Sequence, residues 1–293
     1  MISSLIAMAA AAFLQPPACG ALRSINLPNV AITAADFVAA GSAAPGRGRG
    51  TSEALPAHCR VAATLTPSRD SHIEMELWLP AEGWNGKFLA MGNGAWAGNI
   101  PLDAIATGLR RGYATAANDT GHKGGSASFL LGHPEKLVDF AWRSMHEMAV
   151  HSKTIIRAFY GRSPQLSYYQ GCSTGGRQGL MEAQRFPDDF DGIIAGAPVN
   201  NMVHLNVSQV HLQVEMLKNP SRLVSAEKRT LFANAVVAAC DANDGVKDGI
   251  INNPRACTYD PGTLACKAGD SADCLTAAQV ENARSAWASV RSR

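Results

Sequence analysis

What this chain has little of narrows the field first. No run of basic residues occurs, and 26 Lys+Arg against 24 Asp+Glu leave a formal charge of +2 over 293 residues, so the electrostatic footprint of a nucleic-acid binder is missing. No CxxC pair is present, which leaves the zinc-ribbon reading with little support. The apolar stretch Leu5 to Leu14 reaches about 15 Å as a helix, half the thickness of a bilayer's hydrocarbon core, so it does not span. No internal repeat or low-complexity tract is evident. Disorder is excluded by a composition that is 46% hydrophobic and 17% charged, and the length fits one large domain or one domain plus part of a second.

The first eighteen residues read as a signal-peptide-like segment with a short apolar core, the alternative being a buried helix. Gln-Pro-Pro-Ala before Cys19 is a poor match for a lipoprotein signal. Seven cysteines, at 19, 59, 172, 240, 257, 266 and 274, are many for a cytosolic enzyme and ordinary for a secreted or periplasmic one. An odd count leaves one without a partner inside the chain.

Residues 20 to 58 read as loop-rich, with a flexible Gly46-Arg-Gly-Arg-Gly50 stretch. Ile73, Met75, Leu77 and Leu79 alternate with Glu74, Glu76 and Trp78, the period-2 pattern of a half-buried strand. Phe88 to Met91 reads as a strand running into the glycine-rich turn at 92 to 98. Beyond it strands at Tyr113–Ala117, Ser167–Gln170 and Gly192–Ala195 alternate with helices at Glu135–Tyr160 and Gly175–Phe186, which predicts a mostly parallel sheet covered by helices on both faces. From about Asn200 the strands stop. Helices near 201–218 and 225–239 precede an Asp-rich loop between cysteines, and a last helix begins at the capping box of Thr276 and Gln279. Residues 200–293 are expected to be the start of an inserted, largely helical lid, with 19–199 the amino-terminal part of the main domain.

Gly171-Cys172-Ser173-Thr174-Gly175 places Gly-x-Ser-x-Gly directly after one of these strands and before a helix. In that context the serine sits at the apex of a strained turn, where glycines spare the neighbouring backbone a Cβ. Ser173 would present its hydroxyl as a nucleophile, and the Thr174 amide would face the oxyanion, a donor worth roughly 3–4 kcal/mol in acyl transfer. The turn at 92 to 98 could supply the second donor. A glycine-rich turn that carries a serine by chance is the bland alternative.

A second cluster, Cys240-Asp241-Ala-Asn-Asp244-Gly-Val246-Lys-Asp248-Gly-Ile250, gathers three carboxylates on a short loop. Hard oxygen ligands at this spacing suit calcium, with the Val246 and Ile250 carbonyls completing the sphere. It is not an EF-hand, because the twelfth position from Asp241 is Asn252. A solvated acidic turn is the alternative.

Gly171-Cys-Ser-Thr-Gly-Gly-Arg-Gln-Gly179, Gln184-Arg-Phe-Pro-Asp-Asp-Phe-Asp-Gly-Ile-Ile-Ala-Gly-Ala-Pro198 and the Cys-Asp-x-x-Asp-Gly-x-x-Asp-Gly-Ile loop together resemble the tannase and feruloyl esterase family, which includes bacterial mono(2-hydroxyethyl) terephthalate esterases. The similarity runs from about Cys19 to Val290. It implies an α/β-hydrolase fold with an inserted, largely helical calcium-binding lid, and a serine carboxylic ester hydrolase acting on galloyl, feruloyl or terephthaloyl esters through an acyl-enzyme. Ser173 matches the nucleophile, and the second oxyanion donor falls on Ala95, with Gly94 the neighbouring possibility. Asp241, Asp244, Val246, Asp248 and Ile250 fall on the ligands of a structural Ca2+. The family's disulfides pair Cys19 with Cys59, Cys240 with Cys257 and Cys266 with Cys274. Cys172 is left over, matching a cysteine whose partner adjoins the catalytic histidine.

Family members are much longer, and the triad order Ser, acid, His leaves this chain only His204 and His211 after Ser173, both on an expected lid helix. Asp188, Asp189 and Asp191 read as turn and cap. His122 sits near a strand's carboxyl end and is expected to line the cleft, although it precedes the serine. His58, His72, His133, His146 and His151 read as surface or packing residues. The chain is therefore expected to be truncated within the lid, lacking the catalytic acid and base and exposing sheet edge and lid surface. Two rival readings are a catalytically inactive homologue that keeps only calcium binding, and a cytosolic acyltransferase with reduced cysteines. The oligomeric state is left open.

Overall fold

A computed structural model of the chain describes residues 19–42, 54–96 and 98–287. The signal-like segment 1–18 and the stretch at 46–50 lie outside these residues. The described chain divides into two compact units, one up to Asn200 and one from Asn201.

The first unit holds strands β1 (Val30–Val38), β2 (His58–Leu65), β3 (Ile73–Pro80), β4 (Lys87–Met91), β5 (Ala114–Asn118), β6 (Leu166–Cys172) and β7 (Gly192–Gly196). They form one sheet in the order β1-β2-β3-β5-β4-β6-β7. Its helices are α1 (Leu102–Arg110), α2 (Pro134–Val138), α3 (Ser144–Tyr160) and α4 (Thr174–Arg185).

Both faces of the sheet are packed. Met145, Met148, Ile155 and Ile156 of α3 lie against Val61, Leu65, Ile73 and Leu77 on one face. Ile105, Ala106 and Leu109 of α1 cover Trp78, Leu89 and Met91 on the other. Successive residues of β4 thus serve opposite cores, as strand geometry requires. Each fully buried aliphatic side chain contributes about 1.5–3 kcal/mol, so the two layers fix which end of the central strands carries the loops.

Four sequence expectations change here. The sheet is mixed, not mostly parallel: β1 to β3 and the β3–β5 pair run antiparallel, while β5, β4, β6 and β7 run parallel. Part of the stretch read as loop is the nine-residue β1, whose alanines gave no apolar alternation; the Cys19–Cys59 disulfide joins the segment before it to β2. The strand at 73–80 is buried on both faces rather than one. Glu76 survives there because Arg60 pairs with it and the Trp78 Nε1–H donates to it at 2.6 Å, and a paired, hydrogen-bonded carboxylate can stay charged in a core. Finally, the expected Glu135–Tyr160 helix is interrupted by a π-helical segment, Asp139–Arg143. The buried Arg177 guanidinium donates to the Ala141 and Phe140 carbonyls of this segment at 2.8 and 3.0 Å, pinning it to the helix that carries Arg177.

β7 is the sheet's last strand, and Ile194 on it is 64% exposed. The second unit contains α5 (Met202–Lys218), α6 (Ala226–Cys240) and α7 (Ala277–Trp287). Its only bridge among the described residues joins Ala265 to Leu275. The Thr276 amide donates to Gln279 Oε1 and the Gln279 amide to Thr276 Oγ1, at 3.0 and 3.3 Å, the reciprocal capping box. The buried Lys228 ammonium reaches Asp270 and the Gln279 side chain. Two disulfides, Cys240–Cys257 and Cys266–Cys274, close loops here, and Cys172 is a free, exposed thiol.

Candidate active site

The site grows from the junction of β6 and α4. Ser173 sits there with φ +59° and ψ −117°, a region that costs a non-glycine residue of order 1–3 kcal/mol. The turn is held from both sides: the Ser173 amide donates to the Gly196 carbonyl at 3.0 Å, and the Ser173 carbonyl accepts from the Arg177 and Val199 amides at 3.0 and 3.3 Å. Ser173 itself is exposed. Thr174 is the first residue of α4, so its amide has no intrahelical acceptor and the positive end of the helix dipole lies beside the serine.

Two glycines make the approach possible. A Cβ at Gly171 would lie 2.6 Å from the carbonyl of Gly175, and one at Gly175 would lie 2.9 Å from the Asn93 carbonyl oxygen. The elbow and the turn after β4 therefore touch backbone to backbone. Side-chain bonds close the contact. Thr174 Oγ1 donates to the Ala95 carbonyl at 2.8 Å, and the Asn93 amide donates to Gln178 Oε1 at 3.0 Å. Tyr169 Oη donates its one hydrogen to the Gly175 carbonyl at 2.8 Å and shares it with Gln178 Oε1, 3.2 Å away. Asn93 Nδ2 donates in turn to the Asn118 carbonyl at 2.8 Å, anchoring the turn to the end of β5. Burial pushes the Tyr169 phenol up, so it stays a donor throughout the physiological range.

Ala95 takes φ +48° on this turn, and Gly94 beside it has open space around it. Ser173, Thr174 and Ala95 are thus brought together, with the Thr174 side chain as the direct link. Ala97 of the same turn lies outside the described residues. Trp96 stacks on Phe140 at 4.9 Å between ring centres, which fixes the far side of the turn to the π-helical segment.

His122 is buried beside this turn, and both its ring nitrogens are engaged: Nε2 donates to the Trp96 carbonyl at 2.9 Å and Nδ1 meets Thr120 Oγ1 at 3.1 Å. Its ring stacks on Phe129 at 3.6 Å, and it lines a cavity of about 440 Å3 together with Lys123 and Lys136. Among the described residues no histidine ring hydrogen-bonds Ser173. His58 is held by the Pro56 carbonyl, His133 by Asp70, His146 by Asp189 and His151 by Glu147. His204 and His211 lie on α5 of the second unit. Asp191 caps the β6–β7 end by accepting from the Ser167 amide at 2.7 Å.

In the second unit the Asp-rich loop is built from local turns. Asp241, 4% exposed, accepts from the Gly249 amide at 2.9 Å, Asp244 from the Val246 amide at 2.9 Å, and Asp248 from the Ile250 amide at 3.0 Å. The donors are all oxygens, as a hard cation requires. The three carboxylates do not draw within 4.8 Å of one another as a trio, and Val246 and Ile250 are exposed.

The polar network of Asn93, Tyr169 and Gln178 escapes the sequence, since its members are far apart in the chain. Only the Asn set between Gly92 and Gly94 hints at a backbone-locking side chain.

Comparison with known proteins follows the same lines. The family model described as tannase and feruloyl esterase matches residues 59–292. An uncharacterised esterase of Xanthomonas campestris pv. campestris is 41% identical over 266 residues, covering 90% of this chain and 46% of that protein. The crystal structure of feruloyl esterase B from Aspergillus oryzae matches with a TM-score of 0.80 at 34% identity, over 92% of this chain and 55% of that one. Tannin acyl hydrolase from Aspergillus niger matches with a TM-score of 0.70 at 25% identity, over 92% and 54%. The architecture is α/β-hydrolase-like. The chain spans about half the length of the curated relatives it matches.

Gly171→Ala tests the packing. A methyl group 2.6 Å from the Gly175 carbonyl should destabilise the first unit by about 1–3 kcal/mol or more, read as a lower urea midpoint; an unchanged midpoint would show that the elbow is not in contact.

Proposed function

This chain belongs to the tannase and feruloyl esterase family, and from that premise we propose that it carries the nucleophile half of a serine carboxylic ester hydrolase acting on aromatic esters of the galloyl, feruloyl or terephthaloyl kind. The observation that carries the reading is Ser173 at φ +59°, exposed at a helix N-terminus and tied through Thr174 to the Ala95 turn. The Ser173 hydroxyl attacks the ester carbonyl while a base takes its proton. The amides of Thr174 and of the Ala95 turn hold the oxygen that becomes negative, with Gly94 as the neighbouring donor. Collapse of the tetrahedral species expels the alcohol and leaves an acyl-serine, which water hydrolyses by the same steps.

The base is not His122, whose two nitrogens are both in use. Nor is it another histidine of the unit that carries Ser173, because those with ring partners are committed elsewhere and the remaining one, His72, sits beside Glu74. A serine hydroxyl needs a base beside it to be a strong nucleophile, and among the described residues no histidine ring hydrogen-bonds Ser173. A catalytically inactive, calcium-binding protein is the competing reading.

Three disulfides support export to an oxidising compartment. Among the described residues no helix is long and apolar enough to cross a membrane.

We also propose that the loop of Asp241, Asp244, Val246, Asp248 and Ile250 holds a structural Ca2+. The buried Asp241 and the flanking Cys240–Cys257 bridge support it. The ion supplies charge neutralisation for three neighbouring carboxylates, and the disulfide limits what the empty loop gains in entropy.

Two measurements test these proposals. A hybrid of residues 1–293 with the remaining half of the Xanthomonas esterase should hydrolyse aryl esters, and Ser173→Ala in it should lower kcat about 10^4-fold or more. A hybrid that is equally active with Ser173→Ala rejects the nucleophile. For the cation, calcium should raise the melting temperature of the chain and lose that effect in Asp244→Asn; equal shifts in both would remove the calcium assignment.

A further inference from the structure

Glu182 lies nine residues beyond Ser173 on α4, about 13 Å along the helix, and has no part in the proposed reaction. It is fully buried, yet neither of its carboxylate oxygens has a hydrogen-bond partner. Two further side chains meet it: His146 in the first turn of α3 and Asp189 in the loop between α4 and β7. One ligand atom from each lies within 4.8 Å of the other two. His146 Nδ1 is 2.6 Å from Asp189 Oδ2, and stacking on Phe186 at 3.8 Å fixes the imidazole plane. Lys153 Nζ stands 3.9 Å from Asp189 Oδ1, and the neighbouring Glu147 is engaged by His151 at 3.2 Å. The nearby cations thus approach Asp189 and Glu147 more closely, and Glu182 is left with the Asp189 side chain beside it and a Coulombic pull from Lys153.

A carboxylate stripped of water and left without donors costs several kcal/mol, so a positive charge or a proton must accompany it. We propose that His146 Nδ1 and one oxygen each from Glu182 and Asp189 bind a divalent transition cation of the zinc type.

The donor set selects the metal. One imidazole among three ligands disfavours calcium and magnesium, which take oxygen throughout, and the lack of a thiolate disfavours copper(I). Three protein ligands leave the fourth position of a zinc ion for water, and the His146 side chain, 28% exposed, leaves that side open to solvent. Two carboxylates neutralise the ion. Binding needs one adjustment: ligands on a tetrahedral zinc stand about 3.3 Å apart, so the His146–Asp189 pair must widen from its present hydrogen bond. The ion displaces the proton held by Glu182, which goes to solvent, and takes the place of the hydrogen between His146 and Asp189, the neutral imidazole then carrying its N–H on Nε2. Burial and the adjacent Asp189 carboxylate push Glu182 above the usual carboxylate range. The bound ion would tie α3, the carboxyl half of the elbow helix and the loop leading to β7 into one cross-link.

The test uses the chain stripped with a chelator, then saturated with Ca2+ to fill the lid loop, and dialysed against Zn2+. Wild type should retain one more equivalent than Glu182→Gln, in which the neutral amide stands in for the protonated acid and keeps its volume. Affinity for that equivalent should fall about tenfold or more, at least what the loss of an outer-shell partner costs, and zinc should raise the melting temperature of wild type but not of the variant. Zinc held at surface pairs such as His133 with Asp70 is common to both proteins and subtracts. If Glu182→Gln does not fold, Co2+ replaces Zn2+ in wild type: a visible spectrum of a four- or five-coordinate ion supports the site, and that of the hexaaqua ion overturns it. Equal zinc uptake and equal thermal shifts in wild type and variant, or no uptake at all, would also overturn it, leaving Glu182 as a buried neutral acid beside Asp189.

Discussion

Everything at the candidate active site rests on one backbone contact. The elbow between β6 and α4 and the turn after β4 approach until Gly175 leaves no room for a Cβ beneath the Asn93 carbonyl. Because the two segments touch directly, a single hydroxyl, Thr174 Oγ1 on the Ala95 carbonyl, is enough to register one against the other. The strained torsion of Ser173 is tolerated because bonds to Gly196, Arg177 and Val199 over-determine it. Rigidity of this kind is what an oxyanion site requires, since its donors must be in place before charge develops.

The surrounding polar groups serve the same contact. Gln178, 1% exposed, is the hub: its oxygen accepts from Asn93 and Tyr169, and its amide donates to Asn93 Oδ1 at 3.3 Å. Inside a core such a network is stiff only when its members are satisfied, because each unpaired group costs what a lost hydrogen bond does. Arg177, one residue earlier, stabilises the other flank by closing the carbonyls of the π-helical segment. One helix thus presents Ser173 at its start, locks the opposing turn in its second turn and carries Glu182 in its third.

Much of this was legible in the sequence, for identifiable reasons. The elbow announces itself because strand, glycine and helix signals coincide within ten residues, and the Thr276–Gln279 capping box is a local motif with local bonds. β1 and α1 went unread: β1 is alanine-rich and gains its place from pairing with β2, and α1 is a short helix in a stretch to which the sequence pattern assigned no element. The π-helical break could not be seen either, since it depends on Arg177, more than thirty residues downstream. The sheet's antiparallel half follows from hairpins among β1, β2 and β3, whose first two members the sequence reading lacked. His146 reads from the sequence as a surface or packing residue, and its meeting with Glu182 and Asp189 is purely tertiary.

The most direct measurement is the rate at which an aryl phosphonate modifies the hybrid chain, read by mass spectrometry of the peptide that carries residue 173, for wild type and for Gly175→Ala. The account predicts a single adduct on Ser173, and a rate that collapses when the added methyl parts the elbow from the Asn93 carbonyl. An adduct on another residue, or an equal rate in the variant, would contradict it.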